Sequence, residues 1–125
     1  MKIEVSNGEI LDKISILEIK KARINSPEKL VNIEKELNEL LPLYEVLVTS
    51  DEVGKKYLEL KSLNQDLWDI EDQIRAWEDR YHFGDKFIEL ARLVYITNDK
   101  RARIKRDLNL LTGSELVEEK SYKQY

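Results

Sequence analysis

Apolar residues recur at steps of three and four through most of the chain, the pattern of helices that each bury one face. Ile10, Ile14, Leu17 and Ile24 form the first stripe, widened by Leu11 and Ala22. Ile16 and Ile19 lie on another side, so this helix is expected to be covered by more than one neighbour. Ser6 stands three residues before Glu9, the spacing of a capping box, and the helix it opens should run to about Ile24. Before it, KIEV alternates apolar and polar residues, which predicts a short extended arm over 1–5.

Ser26 and Pro27 supply an N-cap and a first-turn proline, where a missing amide hydrogen costs no hydrogen bond. The second seam follows as Leu30, Ile33, Leu37, Leu40, Tyr44 and Leu47, with Pro42 inside it expected to kink or break the helix. Thr49 with Glu52 repeats the capping-box spacing and opens a third seam: Val53, Lys56, Leu60, Leu63, Leu67, Ile70, Ile74, Trp77 and Tyr81. At about 1.5 Å per residue such a helix exceeds roughly 40 Å, too long for a small globule to cover unless a partner of equal length lies beside it. HFGD then reads as a turn, Gly84 taking positive φ and Asp85 capping the next helix.

The fourth seam, Phe87, Leu90, Val94, Thr97, Arg101, Ile104, Leu108 and Leu111, is closed by Gly113 and is apolar except at Thr97 and Arg101. Residues 114–125 show no sustained period and should form a tail docked through Leu116, Val117 or Tyr122. The resulting expectation is one all-α domain over 1–125, an antiparallel bundle of about four helices in which the third and fourth form a long hairpin. Ile88, Ala91 and Tyr95 make a second apolar stripe on the fourth helix, and a homodimer is the expected way to cover it.

Composition narrows the chemistry. At 125 residues and 42% hydrophobic content, the chain holds apolar material for one modest core. No apolar run is long enough to span a bilayer and no signal-peptide core is present, which predicts a cytoplasmic protein that does not bind membranes. The absence of cysteine excludes disulfides, thiol nucleophiles and thiolate metal sites, and a single histidine excludes a two-histidine site. A net charge of -4 argues against broad nucleic-acid affinity, which needs many clustered cations.

The unusual stretch is TNDKRARIKRDLN, residues 97–109, which places a guanidinium where the repeat calls for leucine. The acids of the third helix at Asp69, Glu71, Asp72, Glu78 and Asp79 lie toward the turn, so the basic run needs acids from the first helix, such as Asp12 or Glu18, from a second subunit, or from a ligand. Arg101 then has two readings. It either pairs with a carboxylate in a polar layer that fixes helix register, or it joins Thr97, Asn98 and Lys105 in a receptor for a phosphate- or carboxylate-bearing small molecule.

Other constellations fall short of chemistry. Asp69 and Asp72 have the spacing of one half of the magnesium site in helical nucleotide pyrophosphohydrolases, but Glu89, the obvious acid on the fourth helix, has Arg92 at i+3 and Leu93 at i+4, so no metal or other cofactor is assigned. LDKISILEIKKARI is similar in rhythm to the first helix of helical chorismate mutases, yet Arg23 and Lys13 do not make the cation set a dianion requires. His82 reads as a turn or capping residue. Trp77 reads as core, and Trp68, off the seam, as a contact residue. No catalytic residue is assigned.

NGEILDKISILEIKKARI, IELARLVYITNDKRARIKRDLN and GSELVEEKSY together are similar to a family of small bacterial proteins known as a domain of unknown function. The resemblance spans nearly the whole chain and implies no activity. The functional expectation is a non-enzymatic interaction or regulatory module acting on a protein partner through helix surfaces. The alternative is a small-anion or nucleotide-binding protein, with or without catalysis, using the polar face of the fourth helix.

Overall fold

The computed structural model describes residues 1–125 as four helices without strands: α1 (Asn7–Arg23), α2 (Pro27–Leu47), α3 (Asp51–Asp79) and α4 (Asp85–Leu111). α1 lies at the centre and packs on the other three, while α3 and α4 form the most extensive pairing. Their antiparallel register is fixed where Lys56 of α3 meets Asp107 of α4 at 3.4 Å, and where Asn64 and Arg101 converge on Asp12 of α1.

Local chemistry sets the helix ends. The Ser6 hydroxyl accepts from the Glu9 amide at 3.2 Å, but the Glu9 carboxylate turns to Lys105 rather than back to the cap, so only half of the capping box forms. Ser26 caps α2 with Pro27 in the first turn. Pro42 neither breaks α2 nor ends it, and the helix runs on to Leu47. The cap of α3 is Ser50, bonded by the Val53 amide at 3.3 Å, and not Thr49.

The hairpin turn differs from the expectation more sharply. Gly84 has φ -81 and Asp85 is already the first residue of α4. Positive φ falls instead on Tyr81, at 56°, where the His82 amide reaches back to Trp77 and the Tyr81 amide to Glu78. Those two bonds are the Schellman pattern, so tyrosine occupies the left-handed position glycine normally fills. α4 ends in the same pattern with the expected residue, Gly113 at φ 66, and with amides of Ser114 and Gly113 bonded to Asn109 and Leu110.

The core joins Leu11, Ile14 and Leu17 of α1 to Ile33 and Leu37 of α2, Val53, Tyr57 and Leu60 of α3, and Leu108 of α4. Burying side chains of this kind contributes about 1.5 to 3 kcal/mol each. This core engages the start of α3 and the end of α4. α1 and α2, at 17 and 21 residues, are much shorter than α3 and α4 at 29 and 27, so the remainder of the hairpin is packed mainly on itself, around Ile70 and Leu90. Ile88 and Tyr95 remain 53% and 42% exposed on the outer face of α4. No helix is long and apolar enough to cross a membrane.

Residues 1–5 have no regular structure. The tail after Gly113 is likewise irregular. Of the expected docking residues Val117 is half-buried, while Leu116 and Tyr122 are exposed, and the tail is also held by Glu118 and Glu119 on the cations of α4 and by Tyr125, whose ring lies 5.6 Å from that of Tyr95.

Candidate functional site: a polar layer across α1, α3 and α4

One helical turn separates the buried Thr97 from Arg101, so both point from α4 toward the interior. Arg101 reaches Asp12 on α1 with two nitrogens: Nε donates to Oδ1 at 3.0 Å and the terminal Nη2 donates to Oδ2. The Asp12 side chain is only 2% exposed, and this two-point fork is the geometry in which a guanidinium binds a carboxylate most strongly. Asn64 of α3 completes the layer, its amide donating to Asp12 Oδ1 at 2.9 Å and to Ser15 Oγ at 2.8 Å. Ser15 Oγ in turn donates to the Asp12 carbonyl at 2.7 Å.

Lys105, one turn further, stands 2.6 Å from Glu9, 3.8 Å from Asp12 and 3.5 Å from Glu118 of the tail. Its side chain is 12% exposed. Asn98 lies at the edge of the layer, 3.5 Å from Arg101 Nη1, a distance at which a hydrogen bond contributes little. No buried side-chain nitrogen or oxygen lacks a partner. The structure therefore brings Thr97, Asn98, Arg101 and Lys105 to one side of α4, with Arg101 and Lys105 already neutralised by acids of this chain.

The close approach that allows this comes from Gly8. Its amide donates to Asn109 Oδ1 at 2.6 Å, and a Cβ placed there would sit 2.5 Å from the Lys105 carbonyl oxygen. Any side chain would push α1 away from α4. Beside this contact, Asn7 bonds Ser114 and Thr112, so side chains at the end of α4 take up free donors at the start of α1.

Glu18 does not serve the basic run of α4. It accepts from the Tyr57 hydroxyl and pairs with Lys61 at 2.8 Å. Burial first, and the adjacent Glu18 second, push the Tyr57 phenol far above its ordinary range. Of the other residues singled out in the sequence, Arg23 holds Asp69, Glu71 pairs with Arg75 at 3.3 Å, and His82 is exposed at the turn, where its amide caps α3. The Trp77 ring lies 5.6 Å from His82, half-buried. No three acidic or histidine side chains gather as a metal site.

The pattern reading missed Asn64, Ser15, Asn109 and Gly8. A signal existed for Asn64: the buried line on α3 runs Val53, Tyr57, Leu60, Asn64, not through Lys56 and Leu63, and on that line a polar residue interrupts an apolar seam just as Arg101 does on α4.

The fold and this layer define a four-helix protein whose central helix is keyed to a long hairpin by a buried ion pair. The model of a family of unknown function (DUF6165) matches residues 1–125, and the chain belongs to that family. No curated protein and no solved structure matches it.

Proposed function

We propose that this protein is a non-enzymatic helical interaction module, and that its first partner is a second copy of itself, paired through the outer face of α4. The observation that carries this reading is the contrast between satisfied polar groups inside and unsatisfied apolar surface outside. The ion pairs of the layer leave it no vacant cation aimed at a substrate, whereas Ile88, Ala91 and Tyr95 form an exposed stripe on a stretch of α4 packed chiefly on α3. An antiparallel pairing of two α4 helices about Ala91 sets Ile88 of one copy against Tyr95 of the other. It also places Glu89 beside Arg92, so the surface complements itself in charge as well as in shape.

Light scattering on the eluting peak of a gel-filtration column tests this. A dimer at micromolar concentration, converted to a monomer of unchanged helicity by Ile88→Glu, is the expected result. A wild-type monomer under those conditions rejects self-pairing.

A second reading, binding of a small anion or nucleotide by the polar face of α4, is favoured by one observation. Arg103 of that helix and Lys120 of the tail line a common hollow, and neither makes an ion pair.

A further inference from the structure

The tail leaves two adjoining hollows along α4, and Lys120 lines both. The first, about 170 Å³, is bordered by Arg103, Lys105, Arg106 and Lys120. Glu119 engages Arg106 at 2.6 Å and Glu118 stands 3.5 Å from Lys105, which leaves Arg103 and Lys120 without a carboxylate. The second, about 840 Å³, is lined by Tyr95, Tyr122 and Tyr125 together with Asn98 and Asp99. Tyr125 meets Tyr95 edge-on, and Lys123 Nζ lies 5.9 Å from the Tyr125 ring. Tyr122 is 77% exposed, so one aromatic wall faces open solvent with nothing stacked on it.

We propose that this groove binds a ligand of the nucleotide class, an aromatic ring joined to a phosphate. The inference rests on the second reading above and gives it a location: the groove uses Asn98 and Lys105 but not Thr97 and Arg101, which are committed to the interior. Each half of the groove answers to one half of such a ligand. Guanidinium and ammonium groups without a partner bind phosphate oxygens through charge-assisted hydrogen bonds. Tyrosine rings offer stacking faces to a planar base, and stacking of this kind tolerates any base because each has a π-face. Asn98 and Asp99 line the same hollow and are hydrogen-bonding groups of the kind a sugar hydroxyl takes, although Asp99 Oδ2 already accepts from the Tyr125 amide at 3.1 Å. The larger hollow falls in the size range of small-molecule sites, roughly 300 to 1,000 Å³.

The two-part character makes the test specific. Calorimetry on the full chain would compare adenosine monophosphate, adenosine and inorganic phosphate. Saturable binding of the monophosphate, at least about tenfold tighter than either fragment, is expected. Lys120→Gln and Tyr125→Ala, both at exposed tail positions, should each weaken it by about tenfold, a loss of about 1.4 kcal/mol. Tyr95 borders both this groove and the self-pairing face, so the titration is repeated on the Ile88→Glu variant, where the same ranking of affinities is expected. A monophosphate no tighter than its fragments overturns the two-part site. Binding that survives both tail variants but is lost in a folded Lys105→Gln keeps the anion reading and overturns the location. Absence of saturable binding rejects both.

Discussion

The α3/α4 hairpin lies beneath α1 at one end and faces outward at its turn, and its two ends are held by different forces. Under α1, the interior carries fully buried Leu11, Ile14, Leu60 and Leu108 alongside Asp12, Ser15, Asn64 and Asn109, every buried polar side-chain atom among them partnered. At the turn, Trp77, Phe83 and Phe87 are half-buried or exposed, Phe83 and Phe87 meet edge-on at 5.3 Å, and Tyr81 stands 82% exposed in a backbone conformation that disfavours its own side chain. A third helix makes the difference. Where α1 excludes water, polar groups must match one another in position and number, because an unpaired one costs several kcal/mol. Where no third helix arrives, water satisfies the polar groups, a strained residue is tolerated and apolar surface is left over.

The largest effect is expected from Arg101→Met, which leaves Asp12 buried with only Asn64 and Lys105, the latter at 3.8 Å. Urea denaturation should show a loss of about 3 kcal/mol, the scale on which breaking a buried ion pair destabilises. An unchanged midpoint would mean the layer does not hold the crossing together. Gly8→Ala addresses the same end through space rather than charge. Its Cβ collides with backbone that cannot swing aside, and a loss of about 1 to 3 kcal/mol is expected, as for overpacking elsewhere.

A pH series probes the flank of the crossing. The Tyr57 phenol is raised by folding, so the neutral form is the one the native state prefers. Its contribution is fully present below the ordinary phenol value of 10.0 and is lost as pH climbs above it, by at most about 1.4 kcal/mol per unit. Tyr57→Phe should flatten that alkaline decline. The smallest expected effect, and of opposite sign, is at the turn. Tyr81→Gly removes the left-handed strain and should raise stability by about 0.5 to 1 kcal/mol, measured as a small rise in Tm. A loss of stability there would show that the tyrosine ring holds the turn.

The apolar spacing was sufficient to read four helices, their order and the hairpin, because a helix declares its buried face every three or four residues. Ser6, Ser26 and Gly113 marked ends correctly for the same local reason: caps act within a few residues of themselves. Local rules failed at Thr49 and Gly84. Neighbouring Ser50 supplied the α3 cap and Tyr81 took the turn conformation assigned to glycine, while at Pro42, where a kink or a break was expected, the break does not occur.

The heptad pattern marked Arg101 as anomalous, and Asp12 was among the acids available to it. Only the crossing of the helices selects Asp12 over Glu18, which lie six residues apart on one helix and face different neighbours. It also recruited Asn64 and Ser15, and it made Gly8 the contact that admits α4. Helix formation is governed by interactions a few residues apart, whereas the pairing of a buried charge depends on which faces meet when three helices cross.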